Sequence, residues 1–240
     1  MHKRLSKPRF LFVYPLAALL FAVGHITERN LRLGILLIAL GEAVRLWANG
    51  YVGHVKVNWT ERARGDAKIG RLITGGPYAF VRHPLYLGTS LIGAGFCLIV
   101  GNAWLALLAF GSFLFLYQAK MAEEEAVLLH EWDAECRRYH AAIPRLLPLR
   151  GRFADRYGQW SWKGVAASKE WKTAIWVTVL VILLYFWEEV VQNREPLLQE
   201  RWVKHVCLLV VLVVLMATDG LAEIVTRRSR RLVKRAKAES

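Results

Sequence analysis

Residues 85–119 read LYLGTSLIGAGFCLIVGNAWLALLAFGSFLFLYQA, without one charged side chain and with a single turn signal, Gly101-Asn102, near the middle. A membrane crossing takes about 20 predominantly apolar residues, so this stretch has room for two crossings folded back on each other at the Gly-Asn pair. Outward from it lie four more apolar runs: Phe10 to His25, Leu31 to Ala48, Trp171 to Val191 and Val203 to Val225. The fold class expected is all-α: a polytopic membrane protein of about six transmembrane helices, with amphipathic helices on the cytoplasmic side.

The charge pattern agrees. Of the 240 residues 55% are hydrophobic, yet the formal net charge is +14, because Lys and Arg collect between the apolar runs. The amino-terminal segment, Asn49 to Pro84, Lys120 to Lys169 and the tail from Arg227 are basic, whereas the intervening connections carry few or no Lys/Arg. Positive charge is retained on the cytoplasmic side, so the alternation predicts a multi-pass protein with both termini cytoplasmic. Trp104, Trp171, Trp187 and Trp202 fall at expected span ends, where indole favours the headgroup region. The first apolar run follows a basic start but lacks a small-residue cleavage site, and reads as a retained helix. Cys97, Cys136 and Cys207 are far apart and have no ligand spacing, so neither disulfides nor a metal site are expected. The basic tail from Arg227 to Lys237 fits a juxtamembrane cluster touching anionic membrane lipids; no nucleic-acid-binding pattern accompanies it.

Ionisable residues inside apolar runs are costly and point to function. Glu42 and Arg45, three apart on one face, are expected within pairing distance, either as functional groups or as an interfacial pair with Arg45 snorkelling. Asp219 and Glu223 read as a charged exit beside the tail. The residues richest in chemistry run from Gly75 to Gly88: Gly75-Gly76-Pro77-Tyr78, then Arg82-His83-Pro84-Leu85-Tyr86-Leu87-Gly88. Pro84 sits where a helix can begin, which leaves the Leu85 and Tyr86 amides free at a positive helix end, next to Arg82 and His83. Alternatively, the same residues form only an interfacial cap. Beyond the hairpin come Glu123-Glu124-Glu125, then Leu129, Trp132, Cys136 and Tyr139 at helical spacing. That spacing places Glu125 on the packed face, where a carboxylate needs an Arg or Lys nearby or a cationic ligand; the bland reading is an acidic first turn.

Together these elements resemble one family. Gly76-Pro77-Tyr78-x-x-x-Arg82-His83-Pro84-x-Tyr86-x-Gly88, then Glu124-Glu125-x-x-Leu128 and Tyr139-x-x-x-x-Pro144-Arg145-x-x-Pro148, look like the isoprenylcysteine carboxyl methyltransferase and phospholipid methyltransferase superfamily of membrane enzymes. The likeness covers about Gly41 to Pro148, including the helix Arg45-x-Trp47-Ala48. It departs at Trp132-Asp133 and Cys136, where the family usually has Phe-Gly and then Tyr. The resemblance implies an S-adenosylmethionine-dependent methyltransferase acting on a lipidic or prenylated acceptor, a carboxylate or an amine. Arg82, His83, Pro84, Tyr86 and Gly88 would frame the cofactor site, with its carboxylate on Arg82 and the Leu85 and Tyr86 amides, its cationic end on Glu124 or Glu125, and Tyr78 and Tyr86 stacking or capping. Arg45 and Glu125 are the expected catalytic residues, with Arg45 anchoring an anionic acceptor that arrives from the bilayer.

The expected division is a methyltransferase core over 1–150 and an added pair of spans with a basic tail over 151–240. Two alternatives stand beside this reading. One is a membrane reductase using a nicotinamide cofactor, which a pair of carboxylates beside its phosphates disfavours. The other is a non-catalytic scaffold or transporter, for which the sequence lacks internal repetition.

Overall fold

The computed structural model describes residues 24, 26–52, 72–168, 170–192 and 202–236. The expected first span lies outside the described residues except for Gly24. Secondary structure among the described residues is entirely helical: α1 (Glu28–Val52), a 3-10 turn (Gly76–Ala79), α2 (Pro84–Val100), α3 (Ala103–Ala142), α4 (Trp162–Ser168), α5 (Glu170–Phe186) running on into a π turn (Trp187–Gln192), and α6 (Trp202–Ala236). They fall into two compact units, divided after Glu170.

In the first unit the Gly101-Asn102 signal makes the tight turn expected of it. Gly101 takes φ 72° and donates its N–H to the Leu98 carbonyl at 3.2 Å, closing α2, while the Asn102 carbonyl accepts from Ala106 at 2.9 Å to open α3. A left-handed cap of this kind suits glycine, which has no Cβ to clash.

Antiparallel to this hairpin, α1 packs on α2 through small residues. A Cβ on Gly41 would lie 2.6 Å from the Gly88 carbonyl oxygen, and one on Gly95 would lie 2.7 Å from that of Gly34. The two backbones therefore touch, with Ile38, Ile92 and Ile99 filling the seam. Small residues that let helices approach backbone to backbone are a membrane-helix device, since lipid offers no hydrophobic drive to pack them. Away from the seam the helices expose Leu36, Leu40, Trp104, Leu107, Leu108 and Phe115.

The second half of α3 bends at Trp132 (φ −126°, ψ 35°), the position where the sequence departs from the family pattern. Leu128, Leu129, Trp132, Cys136 and Tyr139 pack on Leu72, Ala79, Ile143 and Phe153, the face the helical spacing predicts. Residues 151–161 then return to the base of α1: Phe153 N–H bonds the Ala79 carbonyl at 2.9 Å, Gly75 N–H that of Tyr157 at 2.9 Å, and Ser161 N–H that of Gly50 at 2.9 Å.

Two stretches among the described residues, Glu170–Val190, which begins at the boundary between the units, and Val203–Leu221 in the second unit, are long and apolar enough to cross a membrane, while α2 is apolar but shorter. Lys172 pairs with Asp219 at 3.1 Å, so Asp219 has a partner on the neighbouring helix. The Tyr185 hydroxyl donates to Glu189 at 2.7 Å and lies 3.3 Å from His205 Nε2.

Candidate functional site

The 3-10 turn at Gly76–Ala79 places the motif. Gly76 has φ 59°, and a Cβ there would lie 2.2 Å from the Tyr51 ring, so the turn requires glycine for conformation and for space. The chain then extends through Arg82 and His83, whose N–H groups bond the Pro144 and Arg145 carbonyls at 2.9 and 3.0 Å. Backbone hydrogen bonds thus zip the Arg-His-Pro segment to the Pro-Arg segment some sixty residues later. Pro84 opens α2 directly, as its fixed φ and missing N–H allow at a first helical position. The Leu85 and Tyr86 amides lie before Leu87, whose N–H bonds the His83 carbonyl at 3.0 Å. They belong to the turn whose amides have no intrahelical acceptor, at the positive end of the helix dipole.

Above this turn α3 presents its acidic pair. Glu125 is only 6% exposed and is ringed by nitrogens: His83 Nε2 at 3.0 Å, Arg82 Nη1 at 3.1 Å, and the Arg145 fork at 2.7 to 3.1 Å. Burial alone would raise its carboxyl, but the hydrogen bonds from His83 and Arg145 and the charge of Arg82 outweigh burial and bring it down to about 2. The partner that a buried acid demands is therefore supplied by the protein itself. Glu124 is more open; it accepts from the Tyr86 hydroxyl at 2.6 Å and lies 3.9 Å from His83 Nδ1. The Tyr86 ring is edge-on to His83 (5.6 Å) and Tyr117 (4.9 Å). Tyr78 engages through its backbone, its carbonyl accepting from the Tyr139 hydroxyl at 2.6 Å. Desolvation lowers the Arg82 guanidinium, opposed by Glu125, and its Nε is buried without an acceptor.

Arg45 is held elsewhere than expected. It bonds Glu170, Thr89 and, at 3.5 Å, the Leu85 carbonyl, while its stem lies against Gly88, where a Cβ would sit 2.5 Å from Arg45 Cγ. Asn49 fixes the pair by donating to the Arg45 carbonyl at 3.0 Å and to Glu170 at 2.8 Å. The expected Glu42–Arg45 pair gives way to Arg45–Glu170, a carboxylate 2% exposed that the sequence reading did not single out. The guanidinium is thus already neutralised, and an anionic acceptor would have to displace Glu170 to use it. Structurally, then, Arg82, His83, Pro84, Leu85, Tyr86, Glu124 and Glu125 come together at one helix end, with Arg145 added, while Gly88 lies one turn further along α2 with Arg45 of α1 against it.

Among the described residues no group of His, Cys, Asp and Glu is arranged to hold a metal ion.

Comparison with known proteins gives two matches. A family model described as phospholipid methyltransferase covers residues 30–133, which include most of α1, the Arg-His-Pro turn, the hairpin and the acidic pair. Over 162 residues, 62% of this chain and 67% of the relative, the sequence is 32% identical to the cobalt-zinc-cadmium resistance protein CzcN of Cupriavidus metallidurans. No solved structure matches.

Proposed function

The chain belongs to the phospholipid methyltransferase family, within the isoprenylcysteine and phospholipid methyltransferase superfamily, and on that premise we propose a multi-pass membrane enzyme that transfers a methyl group from S-adenosylmethionine to a lipidic or prenylated acceptor. The family is one of membrane-associated methyltransferases. The donor, the acceptor class, six spans and cytoplasmic termini are part of the proposal. The exposed apolar faces of α1 and α3 and the two long apolar helices support the multi-pass topology.

One observation carries the proposal: the Arg-His-Pro turn and the acidic pair, 42 residues apart between His83 and Glu125, meet at 3.0 Å at the amino end of α2. The residues there fit the donor. Arg82, with its buried unpaired Nε, and the Leu85 and Tyr86 amides form a cradle for a carboxylate. Glu124, the less buried acid, is the one left for a cationic group. Bound there, S-adenosylmethionine supplies an electrophilic methyl on a sulfonium.

The protein's own part is positioning, which is what an in-line displacement needs. Glu125 acts as a positioning residue: it holds Arg82, His83 and Arg145 in one arrangement and keeps the 82–83 and 144–145 segments in register. The Tyr86 hydroxyl orients Glu124, and the Tyr86, Tyr117 and His83 rings wall the turn off from bulk water. In calorimetric titration of the detergent-purified chain with S-adenosylmethionine, Glu124→Gln should weaken binding about tenfold or more at unchanged melting temperature. Absence of binding by the unaltered chain, or equal binding by the variant, would overturn the assignment.

A further inference from the structure

Residues 145–163, RLLPLRGRFADRYGQWSWK, lie past the family match and form a strap that is irregular as far as Trp162, where α4 begins. Backbone hydrogen bonds fix its course. The Arg145 carbonyl accepts from His83 N–H at 3.0 Å, Phe153 N–H bonds Ala79, the Tyr157 carbonyl accepts from Thr74 and Gly75, and Ser161 N–H bonds Gly50. Each partner lies in the last turn of α1 or within residues 74–83 that lead into α2, so the strap runs across the end of this helix pair. It turns apolar side chains outward. Leu147, Leu149 and Trp162 are 58%, 81% and 75% exposed, and Trp160, edge-on to Trp162 at 4.6 Å, is exposed as well. Among them stand five cations and one acid. Arg145 is taken by Glu125 and Asp155 by Arg138, which leaves Arg150, Arg152, Arg156 and Lys163 with no carboxylate partner among the described residues. Arg150 bonds the Ala141 carbonyl and Arg152 lies over the Phe80 ring at 5.6 Å, contacts that leave both charges uncompensated.

We propose that the strap docks on the bilayer surface at this end of the helix pair, recognises anionic phospholipid headgroups there, and passes the charge of the bilayer on to the cofactor turn. This rests on the multi-pass reading above, which puts the ends of α1 and α2 at the interface. Guanidinium and ammonium groups match lipid phosphate, and each one near an anionic surface adds an attraction that fades within a Debye length. Indole favours the headgroup boundary, and a segment lying in that plane sinks its leucines toward the acyl chains. A soluble polyanion would use the cations and could stack on the indoles, but it would leave Leu147 and Leu149 in water. The link to the cofactor turn is short. Leu147 follows closely on Arg145, whose carbonyl holds His83 and whose guanidinium holds Glu125, so anchoring the leucine restrains both sides of the clasp.

The test uses the full chain in nanodiscs of phosphatidylcholine alone and of phosphatidylcholine mixed with phosphatidylglycerol. Hydrogen–deuterium exchange of residues 145–163 and titration with S-adenosylmethionine are the two readouts. Phosphatidylglycerol should slow exchange of the strap about tenfold and tighten cofactor binding about threefold, and high salt should reduce both effects, a control that needs no variant. Replacing Arg150, Arg152, Arg156 and Lys163 together by Gln should remove the difference between the lipids while leaving exchange in phosphatidylcholine unchanged. Leu149→Ser with Trp162→Ser should remove most of it with every cation in place. Equal exchange in the two lipids, or a difference that survives loss of the four cations, would overturn the docking. Protection by added polyphosphate on phosphatidylcholine nanodiscs that phosphatidylglycerol fails to reproduce would overturn it in favour of a soluble polyanion. Slowed exchange at constant cofactor affinity would overturn the coupling to the turn. A chain that binds no cofactor, yet whose strap responds to phosphatidylglycerol, would refute the donor assignment and the coupling and leave the docking standing.

Discussion

Replacing Glu125 by Gln removes the charge that two arginines and a histidine share, and the structure sets the size of the loss. Glu125 is 6% exposed, so solvent screens it little, and its carboxyl lies at about 2 against an ordinary 4.5. That gap is worth about 3 kcal/mol at neutral pH. For a chain of this size it amounts to a fall of about 6 to 12 °C in melting temperature. The sign with pH follows from the depressed value in the folded protein. The stabilisation is fully present above the unfolded value near 4.5 and disappears as pH falls toward 2, whereas Gln does not titrate. The difference between the unaltered chain and Glu125→Gln, followed by intrinsic tryptophan fluorescence on heating in detergent, should therefore be largest from pH 5 to 7 and close between pH 4.5 and about 2. A difference that does not change with pH, or a variant as stable as the parent at pH 7, would refute the ion cluster as the clasp between the two motifs.

Other consequences are open to direct measurement. Gly88→Ala sets a Cβ against Arg45 Cγ and the Gly41 carbonyl and should cost about 1–3 kcal/mol by forcing α1 and α2 apart, read as a lower melting temperature; an unshifted melt would mean the helices do not cross there. Tyr86→Phe loses the 2.6 Å hydrogen bond to Glu124, a partly exposed acid, and should weaken S-adenosylmethionine binding by about 1 kcal/mol with little change in fold stability. Glu170→Gln removes the carboxylate that the Arg45 guanidinium is hydrogen-bonded to and should cost about 3 kcal/mol. Adding Arg45→Gln should restore part of that loss, and strictly additive effects of the two changes would count against the pair.

How far the sequence could be read depends on the range of the interactions. Local rules reach the Gly101-Asn102 turn, the start of α2 at Pro84 and the packed face of α3 through Tyr139, since each depends on residues within a turn or two. The meeting of His83 with Glu125 is long-range, and it is readable only because both sit in motifs that the family resemblance joins. Arg145 as the second arginine on Glu125 escaped the reading, although the Pro144-Arg145 motif marks the place. Spacing also misled. Glu42 and Arg45 at i, i+3 look like a pair, but a tertiary partner 125 residues beyond Arg45 takes the guanidinium instead. Nothing local announces Glu170, which reads as an acidic first residue of an apolar helix. The bend at Trp132 likewise has no proline or glycine to signal it.

Labelling most directly tests the claim that the clasped Arg-His-Pro turn and acidic pair form a methyl-donor site. Purified chain is incubated with methyl-labelled S-adenosylmethionine and a total membrane lipid extract, and label is counted in the lipid phase. Label should appear there with the unaltered chain and fall to background with Arg82→Ala or Glu124→Gln. Absence of lipid label from a folded, unaltered chain, or labelling indifferent to both substitutions, would contradict the account.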